Sequence, residues 1–371
     1  MRSRSGRGAT KAGTPASAGH ARSATPFRPS AEDGVRLLMG KDHRFTAFAR
    51  SEGGLLRWTQ RRPGGADWEG PELFSAPRVT HLSVSQGADG FVHFVGRRVS
   101  AEGDSVVVVQ ATQYQTGRPL TQWRSIGNPY KDPERARSVT GPGAAVGGSG
   151  RLHVFVAQAG GAVSMRQEAA DGRWPAWRAL KGQLAQEDAT TVVSESGRIE
   201  LMVPDTSGRV MRWRQAEPDG EMERCPNIHI SPVPGTLVGL ETAKGRFTYY
   251  WADAATGGIF AHRPDSWVIP LGGGAVSGRI EALRVPLDGY DCTVLAHRSL
   301  EGDVMLAACA TENEAAGLWW APTGERCVGP PALARDVYGR VVIAMLGADG
   351  ELRIAGQTAE PGLVMGPSVR V

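Results

Sequence analysis

In "GSGRLHVFVAQAGGAVSMRQEAADGRWPAWRAL" (148–180), Leu152, Val154 and Val156 take every second position, the period of a half-buried β-strand. Gly160-Gly161 supplies a tight reversal, "AVSMRQ" runs back, and a stretch bearing Trp174 and Trp177 follows. A unit this small cannot bury its own apolar face, so it predicts neighbours of the same build. Six more occur: "HRFTAFARSEGGLLRWTQ" (43–60), "GFVHFVGRRVSAEGDSVVVVQ" (90–110), "GRIELMVPDTSGRVMRWRQ" (197–215), "GRFTYYWADAATGGIFAHR" (245–263), "GYDCTVLAHRSLEGDVMLAAC" (289–309) and "GRVVIAMLGADGELRIAGQ" (339–357).

The central turn glycines, Gly53, Gly103, Gly160, Gly208, Gly257, Gly302 and Gly350, lie 50, 57, 48, 49, 45 and 48 residues apart. That is the period of propeller blades. A second turn opens each unit, at Gly90, Gly150, Gly197, Gly245, Gly289 and Gly339, with Asp42-His43 in the first. An apolar stretch precedes each opening turn, and a fourth stretch, usually carrying tryptophan, closes the period. Four antiparallel strands in each of seven periods predict an all-β chain, a seven-bladed β-propeller over residues 33–371. An open solenoid would carry polar capping repeats, and none is visible. Residues 35–39 read as the inner strand of blade one. "SVRV" (368–371) is then either an extra edge or a strand clasping blade seven to blade one.

Composition changes this picture only at the N-terminus. Residues 1–31 contain Arg2, Arg4, Arg7, Lys11, Arg22 and Arg28 and no acid, so the formal +4 of the chain divides into a +6 segment and a −2 remainder. Residues 1–32, rich in Ser, Ala, Gly, Thr and Pro, bury too little apolar surface to offset their ordering entropy and are expected to be a disordered tail. Such an arm suits anionic surfaces, or is simply a solvated extension. No apolar core follows the basic start as in a secretory signal, and no run is long enough for a membrane span, so a cytoplasmic location is expected. Cys225, Cys292, Cys309 and Cys327 have no metal or redox spacing. Cys292 and Cys309 fall on adjacent predicted strands and could face each other.

Catalytic motifs are missing: there is no H-E-x-x-H, G-x-S-x-G, P-loop or C-x-x-C, and nothing singles out two of the 38 acids as a glycosidase pair. A non-enzymatic protein with no cofactor and no metal is expected. His93 and His153 share one repeat position on the polar side of a strand, which marks a repeat feature. The stronger signal is aromatic and amide-bearing. Gln60, Gln110, Gln167, Gln215 and Gln357 end the third strand; Trp58 and Trp213 stand two residues before Gln60 and Gln215, and Arg166 adjoins Gln167. Flat apolar rings beside bidentate hydrogen-bonding groups suit a sugar, which has a C–H face and a rim of hydroxyls. The same residues could equally wedge blades together. Candidate ligand-binding residues are Trp58, Gln60, Arg166, Gln167, Trp174, Trp177, Trp213 and Gln215. Trp174 and Trp177, three apart on an extended segment, are expected to face opposite ways.

"GRLHVFVAQAGGAVSMRQEAADGRWPAWRALKGQ" resembles the repeat of the PLL-type bacterial propeller lectins: G-R-[LI]-x-V-F, a turn glycine, a strand ending in Gln, then W-x-x-W. Tectonin-type propellers are more distantly similar. The resemblance implies seven blades and inter-blade pockets for monosaccharides such as fucose or O-methylated sugars. Blades five to seven depart from it, with Arg263 and Cys309 where Gln is expected, so few pockets are expected to work. The competing expectation is a protein-interaction scaffold using the propeller faces, the basic tail and the charged blade-two loop at 128–143, "NPYKDPERARSVTGPG".

Overall fold

The computed structural model describes residues 28–186 and 189–371. The expected basic tail lies almost wholly outside these residues. The described chain forms seven four-stranded antiparallel sheets, each made of consecutive strands in simple meander order. Blade one runs Val35–Met39, Phe45–Ser51, Gly54–Gln60 and Trp68–Ser75 from the axis outward. Blade three is Gly143–Val146, Leu152–Ala157, Val163–Gln167 and Arg178–Leu180. Blade seven ends in Val369–Arg370, paired antiparallel with Leu352–Gly356. The C-terminal segment is therefore the regular outer strand of blade seven rather than an extra edge, and Val371 at its end packs on the seam with blade one.

The opening turns need a left-handed residue, and Gly90, Gly150, Gly197, Gly245, Gly289 and Gly339 all lie between φ +70° and +84°. In blade one His43 takes φ 60° at this place, a conformation that is uncommon without glycine. The period of about 50 residues is thus written by a backbone requirement as much as by apolar pattern.

The core is divided among the seams between blades. Strand Leu152–Ala157 is buried along its whole length: Leu152, Val154 and Val156 pack toward blade two, while Phe155 and Ala157 pack toward blade four. Alternation predicts one buried face; ring closure covers both, because every blade has a neighbour on each side. Trp58 joins a cluster shared by blades one and seven, and Trp213 one shared by blades three and four. Phe48 and Phe94 meet edge-on at 4.8 Å across blades one and two. Fully burying each such side chain is worth about 1.5–3 kcal/mol, so each seam is a separate store of stability.

The ring closes between blades seven and one without a shared sheet. The Val35 amide donates to the Pro330 carbonyl at 3.4 Å, and Arg279 of the blade-six approach donates to the carbonyls of Asp33 and Val35 at 3.1 and 3.0 Å. Val371 packs on the cluster of the same seam.

The blade-two loop is built into the ring. Its one-turn helix, Pro133–Arg137, is capped by Asp132 and buries Ala136. Asn128 donates to the carbonyls of Val106 and Ala136. Cys292 and Cys309 do not face each other: Cys292 is opposite Ala310 and Cys309 opposite Thr293, one step out of register and hence on opposite faces of the sheet. His93 and His153 are buried, not on a solvated face, because their side faces the next blade.

Candidate functional site

The repeat glutamines are a backbone device. Gln60 sits opposite Phe45, accepts from the Phe45 amide at 3.1 Å and donates to the Gly65 carbonyl at 2.7 Å. Gln215 accepts from Ile199 at 2.9 Å and donates to the Gly220 carbonyl at 2.9 Å. Gln357 does the same between Val341 and Gly362, at 3.0 and 2.7 Å. An amide can accept with one end and donate with the other, so one side chain ties the start of the second strand to the loop five residues on. In blade two the residue that donates to the carbonyl five on is Gln113, at 3.0 Å from the Arg118 oxygen, and not Gln110. In blade six, where Cys309 was expected to replace it, the ladder and the Thr311 amide on the Asp291 carbonyl at 2.8 Å place Thr311 there.

Blade three breaks the rule. Register places His153 opposite Gln167, so the residue opposite Leu152 is Glu168. The carboxyl of Glu168 accepts from the Leu152 amide, yet half-burial holds its pKa above the ordinary carboxylate value. No cation pairs with it among the described residues. An ionised carboxyl cannot make the second, donating bond to the loop.

Beside Glu168 the seam between blades two and three opens into a cleft of about 860 Å³. Blade two supplies Asp89, Phe91 and His93 from its opening turn and second strand, Tyr114 from its loop, and Arg124 and Ser125 from its outer strand. Blade three supplies Arg151, Glu168, Asp171 and Trp174. Tyr114 is about half exposed and stands edge-on to Phe91 at 4.9 Å. His93 is 6% exposed; its Nδ1 meets the Thr112 hydroxyl at 3.2 Å, and its Nε2 has no partner among the described residues. Burial pushes the His93 pKa down, so the ring is neutral at physiological pH. The Arg124 guanidinium has neither an ion-pair nor a hydrogen-bond partner among the described residues.

The sequence candidates divide accordingly. Trp174 lines the cleft. Trp174 and Trp177 are both half-buried on one cluster of blades two and three, and of the two only Trp174 lines the cleft. Arg166 donates to the carbonyls of Trp174 and Pro175, at 2.7 and 2.5 Å, and to that of Ile126 in blade two, so it is a strut across the floor of the seam. Its guanidinium also stands 5.8 Å from the Trp177 ring centroid. Gln167 adjoins the cleft residue Glu168 but does not line the cleft. Trp58 and Trp213 are each 1% exposed and offer no ring face to a ligand; Gln60 and Gln215 have both ends of their amides engaged in backbone bonds.

Glu168, His93, Asp89, Tyr114 and Arg124 had no place among the sequence candidates. The spacing along the chain pointed the other way: Gln60 to Gly65, Gln215 to Gly220 and Gln357 to Gly362 share five residues, as do Gln167 and Gly172, so only strand pairing puts Glu168 in the glutamine's place.

No protein-family model and no curated protein matches this chain. Solved structures do. The chain is similar to the BP39L lectin from Burkholderia pseudomallei, at 12% identity and TM-score 0.69, covering 93% of this chain and 100% of that one. It is also similar to a putative 6-phosphogluconolactonase from Bacteroides uniformis, at 14% identity and TM-score 0.53, over 92% and 100% of the two chains. At these identities the likeness is one of fold. It agrees with the seven-bladed ring expected from the repeat.

Proposed function

We propose that this propeller binds carbohydrate in the cleft between blades two and three and carries out no chemistry on it. The observation that carries this reading is the combination at that seam: the Trp174 and Tyr114 rings, the unpaired Arg124 guanidinium and the Ser125 hydroxyl line one open cleft. A sugar ring presents C–H bonds to aromatic faces and hydroxyls to such polar groups. The volume of about 860 Å³ takes several linked sugars, whereas the blade seven–one seam, beside Trp68 and Arg340, opens to only about 170 Å³.

The fold supports a lectin reading through its likeness to the BP39L lectin, and that likeness alone does not transfer a ligand. Fucose and O-methylated sugars, implied by the repeat resemblance, head the panel to test. The scaffold reading is less favoured, since the 128–143 loop is tied to blade two by Asn128 and by Arg97, which donates to the Val139 and Arg137 carbonyls at 3.0 Å. The test is a broad glycan array, followed by ¹⁹F NMR of protein labelled with fluorotryptophan. Glycan addition is expected to move the Trp174 resonance and leave those of Trp58 and Trp213 in place. An array without a hit would remove the proposal.

A further inference from the structure

We propose that Glu168 is a proton-operated latch that sets whether the cleft between blades two and three is open. Three features of the ring carry this. The equivalent residues Gln60, Gln215 and Gln357 each donate to the carbonyl five positions on and so hold the following loop. A protonated carboxylic acid has the same donor-and-acceptor pair as an amide; an ionised one has acceptors only.

Loop-to-turn bonds also close other seams. Thr116 of blade two donates to Asp42 of blade one at 2.9 Å, and the Ser149 amide of blade three donates to Asp219 of blade four at 2.8 Å. The Gly362 amide of blade seven donates to Asp288 of blade six at 2.7 Å. The blade-two residue at the place of Asp42 and Asp288 is Asp89. It accepts at 2.9 Å from Phe91 of its own turn, and among the described residues no bond reaches it from the blade-three loop. The receptor is in place and unengaged.

Finally, the loop is within reach. The Glu168 carboxyl lies 3.9 Å from where a side chain on Gly172 would begin. Loop 169–173 is a tight turn, with the Ala169 amide on the Arg173 carbonyl at 2.8 Å and Gly172 on Ala169 at 2.9 Å. A proton on Glu168 would give it, beside this loop, the donor that the glutamines use to hold theirs.

The charged and titratable groups around the latch are His93 and Asp89 from blade two's second strand and turn, Arg124 from its outer strand, Arg151 from blade three's turn, and Asp171 and Arg173 on the loop itself. Asp171 is held below its ordinary value by Arg173, and His93 is held neutral by burial. Glu168 is shifted upward by burial, so of these two acids it gains its proton at the higher pH. Acid closes the latch and narrows the cleft. The effect on sugar binding rests on the function proposed above; the latch itself does not.

The experiment is hydrogen exchange of full-length protein at pH 8 and pH 4.5, with protection of amides 169–173 referenced to strand Leu152–Ala157. Wild type is expected to gain about fivefold protection in the loop at pH 4.5, the worth of one net hydrogen bond. Glu168→Gln should be protected at both pH values, and Glu168→Ala at neither. Equal wild-type protection at the two pH values, or identical loops in Glu168→Gln and Glu168→Ala, would overturn the latch. Glycan affinity in the same samples is expected to fall at pH 4.5 in wild type only. A responding loop without any glycan binding would uphold the latch and remove the sugar reading.

Discussion

Tyr249 and Tyr250, consecutive on strand Arg246–Ala252, donate to two buried carboxylates on opposite sides of blade five. Tyr249 reaches Glu200 of blade four at 2.5 Å, and Glu200 is ion-paired with Arg212 at 2.5 Å. Tyr250 reaches Glu314 of blade six at 2.9 Å, and Glu314 is paired with Arg263 at 2.5 Å. Strand alternation sends neighbouring side chains to opposite faces, so one dipeptide fixes blade five to both neighbours. Burial raises both phenol pKa values, which keeps each hydroxyl a donor.

Tyr249→Phe and Tyr250→Phe should each destabilise the ring by about 1–3 kcal/mol, since each leaves a buried carboxylate short of a donor. Glu200→Ala should cost more, about 3–5 kcal/mol, because it strands the Arg212 charge in the seam. Denaturant titration checks both. A Tyr→Phe variant as stable as wild type would show that the staple carries no stability.

His153 should make stability depend on pH. Burial, the first cause, lowers its pKa from 6.5 to about 4, with Nδ1 donating to the Arg151 carbonyl at 3.1 Å. The unfolded chain binds this proton below about pH 6.5 and the folded chain only near pH 4, so stability falls as pH drops through that window. About 2 kcal/mol should be lost by pH 5. His153→Thr, which places there the residue type of Thr46 and Thr248, should flatten that part of the profile. Parallel profiles for wild type and variant would disprove the assignment.

Removing Ser368–Val371 should loosen the seven–one seam. It deletes the outer strand of blade seven, the Ser368 amide bond to Glu325 at 2.8 Å and the packing of Val371. A loss of about 2 kcal/mol is expected from the apolar area uncovered. Hydrogen exchange should speed up first in Leu352–Gly356; unchanged exchange there would mean the strand is dispensable.

Period and turn chemistry made the ring legible, because both are local. Glycine spacing marked every blade, and the stretch 35–39 was readable as an inner strand. What local pattern could not show was which face of a strand meets which neighbour. Trp58 and Trp174 look alike along the chain, yet one is 1% exposed and the other borders a cleft. The glutamines were visible as a repeat, but their partners, a strand-opening amide and a carbonyl five residues on, emerge only when the strands pair. Blade three hid its departure for the same reason: Gln167 stands one place before Glu168, and a one-residue slip moves a side chain to the other face.

The most direct test of the account is Trp174→Ala beside Trp58→Ala, with melting temperature and glycan affinity measured on each. Trp174→Ala is expected to keep most of its stability and to weaken glycan binding about tenfold or more, in line with loss of an aromatic anchor. Trp58→Ala is expected to cost about 3–5 kcal/mol and, in whatever fraction stays folded, to bind as wild type does. Wild-type affinity in Trp174→Ala would contradict the assignment of the cleft between blades two and three as the sugar site.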